Sequence, residues 1–310
     1  MGCSVLLYLI WRIEPQPLID ALLHAKLSIY VPALVVFVYL SFLLDTQNLQ
    51  ALMSSFDHRF SWVESKIIRG ASYLIMVVDY TLGLGSVVYF FNSSKKIPIL
   101  RGTAIMIYYN YINQFALLAL GLIGYLFLDF SFPWLDKGML ICLAITVGSI
   151  IIIALLKHSK HKLIMKVHQS GIMEAFVESP VRVYAKNIIY RVIYYFSYVL
   201  FFFIAIKAFD IHIPFNVLVA YVPLILLVIS IPVSPFGLGT SQATMLYLFK
   251  DYGSQPQILA FSLVYSLTVL LLRALLGAYY YWRMMRKNNV EGQRCEGGYQ
   301  HKPETSNQSA

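Results

Sequence analysis

Apolar residues are gathered into long runs that alternate with short polar stretches along most of the chain. A helix needs about 20 mainly apolar residues to cross a bilayer. The runs predict membrane spans at residues 29–44, 68–91, 103–130, 138–156, 187–209, 213–233 and 257–282, with Asp45 closing the first span. Residues 18–26 show a single apolar helical face, which is typical of an interfacial helix. The pattern predicts an all-α, polytopic integral membrane protein with about seven to eight crossings.

The stretch at residues 230–253 is too interrupted to be an ordinary spanning helix. Proline lacks a backbone donor and glycine loosens the backbone, and four such residues fall within eight positions: Pro232, Pro235, Gly237 and Gly239. Polar side chains stand beside this break: Ser234, Thr240, Ser241 and Gln242. Irregular backbone survives at membrane depth only where protein or a wet cavity satisfies its polar groups. We therefore predict a broken or re-entrant segment that lines a binding site; a proline-kinked helix is the alternative.

A second interruption resembles the first one. Gly83 and Gly85 frame a Gly-Leu-Gly-Ser sequence in the second predicted span, and residues 237–240 read Gly-Leu-Gly-Thr. Paired interruptions in the two halves of a transporter point to a binding site near the membrane midplane. The match predicts two unwound segments, related by an inverted repeat, that meet at such a site. Independent use of glycine for helix packing is the alternative explanation.

Composition narrows the class of protein. Hydrophobic residues make up 59% of the chain and charged residues 13%, and the mean hydropathy is +0.67, so no soluble region is large enough for a core of its own. We expect one transmembrane domain at residues 1–282, with halves at 1–156 and 187–282 joined by a basic loop at 157–186. Residues 283–310 are polar and poor in large apolar side chains, which predicts a disordered tail.

The net charge of +9 does not indicate nucleic-acid binding. Basic residues of membrane proteins mostly mark cytoplasmic loops that face anionic headgroups. With eight crossings and both termini in the cytoplasm, most lysine and arginine residues fall on the cytoplasmic side. We therefore expect this orientation in a plasma membrane, which in a bacterium is the inner membrane.

Two ionisable residues, Asp79 and Arg273, lie deep within predicted spans. Such residues are costly in a bilayer and usually face a partner or a cavity. A guanidinium matches a phosphate with two parallel hydrogen bonds, so we expect Arg273 to contact a lipid headgroup phosphate beside the polar residues of the break. The alternatives are a structural ion pair of Asp79 with Arg273 or Arg191, and extension of Arg273 to the membrane surface.

The sequence gives little support to catalytic or cofactor chemistry. His158 and His161 are three residues apart in a lysine-rich loop and have no third ligand at a fixed spacing, so no metal site is predicted. No Gly-x-Ser-x-Gly elbow surrounds Ser234 or Ser241, and the chain has no phosphate-binding loop of the nucleotide-hydrolase type. We expect no catalytic residue, no metal and no cofactor.

The run at residues 232–242, with Arg273 and Gly277 downstream, resembles a flippase-like family whose members look like the transmembrane region of bacterial lysylphosphatidylglycerol synthases. That family shows a break of the Pro-x-Ser-x-Gly-Leu-Gly type, commonly with a glutamate three residues later. Here Gln242 stands at that position, so a proton- or cation-linked role lacks its carboxylate. The resemblance implies lipid binding and movement of lipid between leaflets. It does not imply aminoacyl transfer, because that chemistry belongs to a separate soluble domain.

The leading hypothesis is that the chain binds and translocates a phospholipid or a lipid-linked phosphate. Its headgroup site is expected to comprise Arg273, Asp79, Gly83, Gly85, Ser234, Gly237, Gly239, Thr240, Ser241 and Gln242. The alternative is an accessory subunit that presents lipid to a glycan- or lipid-modifying enzyme, and a transferase with Asp79 as its base is a third hypothesis. The expected partner is a membrane lipid with an anionic headgroup. A homo-oligomer and a partner enzyme both stay open.

Overall fold

The computed structural model describes residues 15–128, 133–158, 175–176, 179–230 and 239–297. Regular secondary structure in these ranges is helical. The helices, numbered in chain order, are α1 Pro15–Leu23, α2 Leu27–Ser55, α3 Trp62–Met76, α4 Tyr80–Lys95, α5 Ile99–Leu126, α6 Pro133–His158, α7 Val181–Ala205, α8 Phe215–Ser230, α9 Thr240–Phe249 and α10 Gln255–Gly297. A short 3-10 helix, Ile206–Phe209, extends α7.

Several of these helices have the length and composition of membrane spans. In the described part of the chain, four stretches are long and apolar enough to cross a membrane: Leu27–Ser55, Ile99–Leu126, Val181–Phe209 and Gln255–Arg286. Leu143–Leu155 and Phe215–Ser230 are shorter apolar helices. Large apolar side chains such as Val36 and Leu271 point outward from the bundle, as expected where the solvent is lipid. The prediction of an all-α, polytopic membrane protein is confirmed.

The helices pack most closely as three pairs: α3 with α10, α5 with α8, and α2 with α7. Small residues allow the first two pairs to approach. A side chain at Gly277 of α10 would come within 2.5 Å of the backbone nitrogen of Leu74 on α3. A side chain at Gly124 of α5 would come equally close, 2.5 Å, to the backbone nitrogen of Ala220 on α8. Any larger residue at either position would push the paired helices apart.

Aromatic rings fill the contact between α2 and α7. Phe37 stacks on Phe201 with ring centroids 4.4 Å apart, and it meets Tyr198 edge-on at 4.7 Å. Such ring pairs stabilise a defined geometry beyond the area that they bury. Tyr198 is thereby held in place on α7, and it lines the cavity described below.

The predicted end of the first span was wrong. Helix α2 does not stop at Asp45 but continues to Ser55, and Asp45 is only 1% exposed. An acid in an apolar run suggests a membrane boundary because a lone buried carboxylate is costly. Here two arginines from other helices pair with the carboxylate, so the helix passes through this position.

The second predicted span is broken, but not where its glycines predict. The break lies at residues 77–79, between α3 and α4, and Gly83 and Gly85 both lie inside α4. Asp79 is the N-cap of α4, and its carboxylate accepts the backbone N–H of Leu82 at 2.9 Å. Aspartate is among the preferred residues at this position. The break therefore follows the helix cap, and the two glycines do not unwind the chain.

The third region of interest is the proline- and glycine-rich break. Residues 231–238, which include Ser234 and Gly237, lie outside the described residues. Helix α9 begins directly afterwards, and its N-cap Gly239 has a φ of 89°, which side chains other than hydrogen rarely permit.

The two ends of the predicted basic loop are helical. Helix α6 runs to His158 and α7 begins at Val181, whereas His161 and the rest of residues 159–174 lie outside the described part. Helix α10 continues to Gly297, well beyond the span end expected at residue 282. Residues 298–310 of the predicted tail are again outside the described residues.

Candidate functional site: an arginine- and tyrosine-lined cavity

A cavity of about 330 Å³ lies where seven helices converge. That volume is at the lower end of the range for small-molecule sites. Helices α2, α3, α4, α5, α7, α8 and α10 all contribute to its wall. Its polar lining residues are Asp45, Arg69, Tyr73, Asp79, Tyr80, Tyr109, Asn113, Arg191, Tyr194, Tyr195, Tyr198, Ser230, Tyr265 and Arg273. Three arginines and seven tyrosines in one wall make the cavity cationic and rich in hydroxyl groups.

Asp45 is the anchor of this wall. Its Oδ2 accepts hydrogen bonds from Arg69 Nε at 2.5 Å and from Tyr73 Oη at 2.8 Å. Its Oδ1 accepts a hydrogen bond from Tyr109 Oη at 2.8 Å and pairs with Arg191 Nη1 at 2.9 Å. One carboxylate thus joins α2 to α3, α5 and α7. Burial of a carboxylate requires such pairing, because an isolated buried charge is strongly unfavourable.

Arg69 and Arg191 each keep part of their donor set unused. Arg69 binds Asp45 through Nε, and its Nη1 has no hydrogen-bond partner among the described residues. Arg191 binds Asp45 through Nη1, and its Nε and Nη2 also have no hydrogen-bond partner among the described residues. Arg69 is 5% exposed and Arg191 is 2% exposed. Buried donors without acceptors carry a desolvation cost.

Arg273 is held differently from the other two. Its Nη2 donates to the Tyr198 hydroxyl, and its guanidinium lies 5.5 Å from the centre of the Tyr73 ring. Its Nε has no partner in the described part of the chain. None of the described carboxylates lies within ion-pair distance of Arg273. It is half-buried, and among the described residues the Tyr198 hydroxyl and the Tyr73 ring face help to offset its charge.

Asp79 lies at the edge of the cavity. It is exposed, and its carboxylate caps α4 through Leu82. The ion pair weighed for Asp79 with Arg191 or Arg273 does not form; Asp45 is the carboxylate that pairs with Arg191. The described residues contain no group of three or more histidine, cysteine or acidic side chains that could hold a metal ion.

The other predicted site residues lie apart from the described cavity wall. Gly83 packs against Met76, whereas Gly85 faces open space. Gly239 and Ser241 both donate to Gln242 Oε1, at 2.6 and 3.0 Å, and Gln242 Nε2 donates to Ser266. Thr240 begins α9 and accepts a bond from Thr244 through its backbone oxygen. Ser234 and Gly237 lie outside the described residues, so their contact with lipid stays a prediction.

The end of α8 connects the predicted break to the cavity. Ser230, the last residue of α8, lines the cavity and accepts a hydrogen bond from Gln114 Nε2 at 3.0 Å. Residues 231–238 continue from this point, and their sequence contains no charged side chain. The segment that the sequence predicts to be broken therefore begins at the cavity wall. The break between α3 and α4 also lies at this wall, where Val77 and Asp79 line the cavity.

Sequence reasoning identified Arg273 but missed the Asp45 network. Asp45 looks like a span boundary, and its two arginine partners lie at the edges of other apolar runs. The signal that was available is the excess of tyrosine, 23 residues in the chain, much of it in the third and fifth predicted spans. Tyrosine at membrane depth needs a hydrogen-bond partner, and a buried charge cluster supplies such partners.

A family model described as "Lysylphosphatidylglycerol synthase TM region" matches residues 1–277 of the chain. The match includes every residue of the cavity wall. No curated protein and no solved structure matches the chain. The family match indicates a membrane-embedded protein of lipid metabolism or transport.

Proposed function

The chain belongs to the family of lysylphosphatidylglycerol synthase transmembrane regions, and from this premise we propose that it binds the anionic headgroup of a phospholipid or lipid-linked phosphate and carries it between leaflets. The observation that supports this most directly is the convergence of Arg69, Arg191 and Arg273 on one cavity within the helical bundle. A guanidinium fork matches the oxygens of a phosphate group with two parallel hydrogen bonds.

The cavity is suited to hold charge temporarily. Arg69 and Arg191 are fixed by Asp45, and Arg273 is fixed by Tyr198, so the unused donors are already oriented before a ligand arrives. Preorganised donors lower the ordering cost of binding. In such a site, hydrogen bonds from the protein replace those that the headgroup makes with water. The loss of those bonds is the main obstacle to passage of a charged headgroup through a bilayer.

The break at residues 77–79 supports movement as well as binding. Irregular backbone at membrane depth is typical of transporter binding sites, and Val77 and Asp79 of this break line the cavity. We place the protein in the plasma membrane, the inner membrane of a bacterium, with both termini in the cytoplasm, on the distribution of its basic residues.

A reconstitution experiment tests the proposal. The purified chain is inserted into vesicles that contain fluorescent phosphatidylglycerol, and transfer is followed by the loss of fluorescence when a membrane-impermeant reductant is added outside. We expect transfer above that of protein-free vesicles. Arg273→Ala should reduce its rate at least about tenfold, because one lost charge-assisted hydrogen bond costs about 1.5–3 kcal/mol.

Arg283→Ala is the matched control, since Arg283 lies on the same helix, over the exposed Tyr279 ring, and is not among the lining residues of the cavity. It should transfer lipid at the unaltered rate. Equal transfer by Arg273→Ala and the unaltered protein, at equal insertion, would reject Arg273 as a headgroup ligand. Absence of transfer by the unaltered protein for every anionic lipid offered would reject translocation by the chain alone.

A further inference from the structure

We infer that the cavity selects a headgroup ending in a phosphomonoester, with two negative charges, over a phosphodiester headgroup with one. The inference rests on the proposed function and specifies its substrate class. It assigns ligand contacts to Arg69 and Arg191 in addition to Arg273. Its basis is the charge balance of the cavity and the number of donors left free there.

The buried part of the cavity carries two more positive charges than negative ones. Three guanidinium groups line it, and Asp45 is the one buried carboxylate in the described wall. Asp79 lies at the exposed edge, where solvent screens its charge. Uncompensated charge in a low-dielectric site is strongly unfavourable. A ligand with two negative charges restores neutrality, and a ligand with one leaves a buried excess.

The number of hydrogen-bond acceptors on the ligand also favours a phosphomonoester, independently of the charge count. Four guanidinium nitrogens are buried without partners among the described residues: Nη1 of Arg69, Nε and Nη2 of Arg191, and Nε of Arg273. A phosphodiester has two unesterified oxygens to accept hydrogen bonds, whereas a phosphomonoester has three. A terminal phosphate therefore offers one more acceptor to the guanidinium groups that line the cavity.

The cavity offers little to a headgroup that carries an amine. The carboxylate of Asp45 already pairs with two arginines and accepts hydrogen bonds from two tyrosines. Asp79 accepts the backbone N–H of Leu82 at the edge of the cavity. An ammonium group placed deep in the cavity would meet guanidinium charges before it met a free acceptor. Repulsion of this kind disfavours the wrong ligand as effectively as attraction favours the right one.

Binding of two short-chain probes to the full chain in detergent distinguishes these headgroups. Dioctanoyl phosphatidic acid carries a phosphomonoester, and dioctanoyl phosphatidylglycerol carries a phosphodiester; both have the same acyl chains. At about pH 7.5 we expect the phosphomonoester to bind at least about tenfold more tightly, as follows from one additional compensated charge. An arm with inorganic phosphate separates a lipid-linked from a free ligand, and we expect it to bind much more weakly than phosphatidic acid.

The pH dependence supplies a second readout. A phosphomonoester gains its second charge near a pH of about 6, so the preference should shrink at about pH 5.5 while binding of phosphatidylglycerol stays constant. The groups that face the site are Asp45 from α2, Arg69 and Tyr73 from α3, Asp79 and Tyr80 at the start of α4, Tyr109 from α5, Arg191, Tyr194, Tyr195 and Tyr198 from α7, and Tyr265 and Arg273 from α10. Histidine, the side chain that ordinarily changes its charge in this pH range, is not among the described lining residues.

Arg273→Gln tests the charge count directly. It leaves one excess positive charge, so the preference for phosphatidic acid should fall to about twofold or less. Arg273→Lys keeps the charge and should keep most of the preference. Arg283→Gln, on the same helix, should behave as the unaltered protein does. Elution profile and unfolding temperature show whether each variant is folded.

The three ways in which this test can fail are distinguishable. Equal or tighter binding of phosphatidylglycerol by the unaltered protein overturns this inference and leaves the proposed function standing. Binding of neither lipid overturns both. Binding of inorganic phosphate as tightly as phosphatidic acid overturns the assignment to a lipid headgroup.

Discussion

Asp45 shows how a single side chain can define a membrane cavity. It accepts three hydrogen bonds, from Arg69, Tyr73 and Tyr109, and forms an ion pair with Arg191. It is the buried partner that offsets the cost of placing the two arginines at this depth. The same two guanidinium groups line the cavity. Asp45 therefore acts on a ligand indirectly, by orienting the two arginines.

Replacing Asp45 with asparagine should destabilise the protein strongly. The asparagine side chain would keep the shape but lose the charge, and removal of one partner from a buried ion pair costs about 3–5 kcal/mol. We expect a clear fall in the unfolding temperature of Asp45→Asn in detergent. An unfolding temperature equal to that of the unaltered protein would show that the carboxylate does not anchor the cavity.

Asp210→Asn is the control for that measurement. Asp210 pairs with Lys26 at 2.5 Å, but both side chains are about half exposed, and exposed ion pairs contribute little. The hydrogen bond from Lys26 lowers the pKa of Asp210. The pair is thus formed at neutral pH and is lost as the pH falls through that lowered value. At neutral pH the variant should unfold close to the temperature of the unaltered protein.

Some residues of the cavity could be predicted from the sequence, and others could not. Arg273 was identifiable because it is a lone cation well inside an apolar run. Asp45 was not, since its partners are on other helices and pairing between distant segments leaves no local pattern. The unpaired nitrogens of Arg191 follow only from the geometry of its contact with Asp45.

At the scale of elements, the start of α4 determines the shape of the cavity edge. Capping by Asp79 fixes where α4 begins, and Val77 and Tyr80 on either side line the cavity. The sequence pattern predicted this break at Gly83 and Gly85, several residues after its position in the structure. An isolated glycine inside a helix costs only about 1 kcal/mol relative to alanine, so packing against Met76 keeps Gly83 helical.

Two substitutions at Asp79 separate a capping role from a charged one. Asparagine caps a helix about as well as aspartate, whereas alanine costs about 0.5–2 kcal/mol. We expect Asp79→Asn to keep the unfolding temperature and lipid transfer of the unaltered protein, and Asp79→Ala to lower both. Loss of transfer in Asp79→Asn without loss of stability would instead indicate that the carboxylate charge takes part in transfer, as the transferase hypothesis requires.

At the scale of the whole molecule, the contact between α3 and α10 brings two of the three arginines together. Arg69 lies one residue before Gly70, which packs against Tyr280, and Arg273 lies one turn before Gly277, which packs against Leu74. The distance between these helices therefore sets how far apart the two guanidinium groups lie. The sequence predicted that glycines would unwind helices, whereas these glycines let two intact helices approach.

Gly277→Ala should weaken both the fold and the cavity. The added methyl group would lie 2.5 Å from the Leu74 backbone nitrogen, and overpacking of this kind costs about 1–3 kcal/mol. We expect a lower unfolding temperature and slower lipid transfer. Gly148→Ala on α6, where nothing lies within 4 Å of the added atom, should leave both unchanged. If both variants lowered the unfolding temperature and lipid transfer equally, close contact between α3 and α10 would not be the cause of the effect.

The overall class followed from the sequence because span length and hydropathy are local properties. The arrangement of the spans did not, since it depends on which polar residues meet inside the bundle.

One carboxylate links four helices, and the same two guanidinium groups that it binds would attract an arriving phosphate. Under the proposed function, a bound phosphate would attract the two guanidinium groups that Asp45 now neutralises, and their attraction to Asp45 would weaken. Headgroup binding would then loosen the links between α2, α3, α5 and α7, which would make helix movement easier while the cavity is occupied.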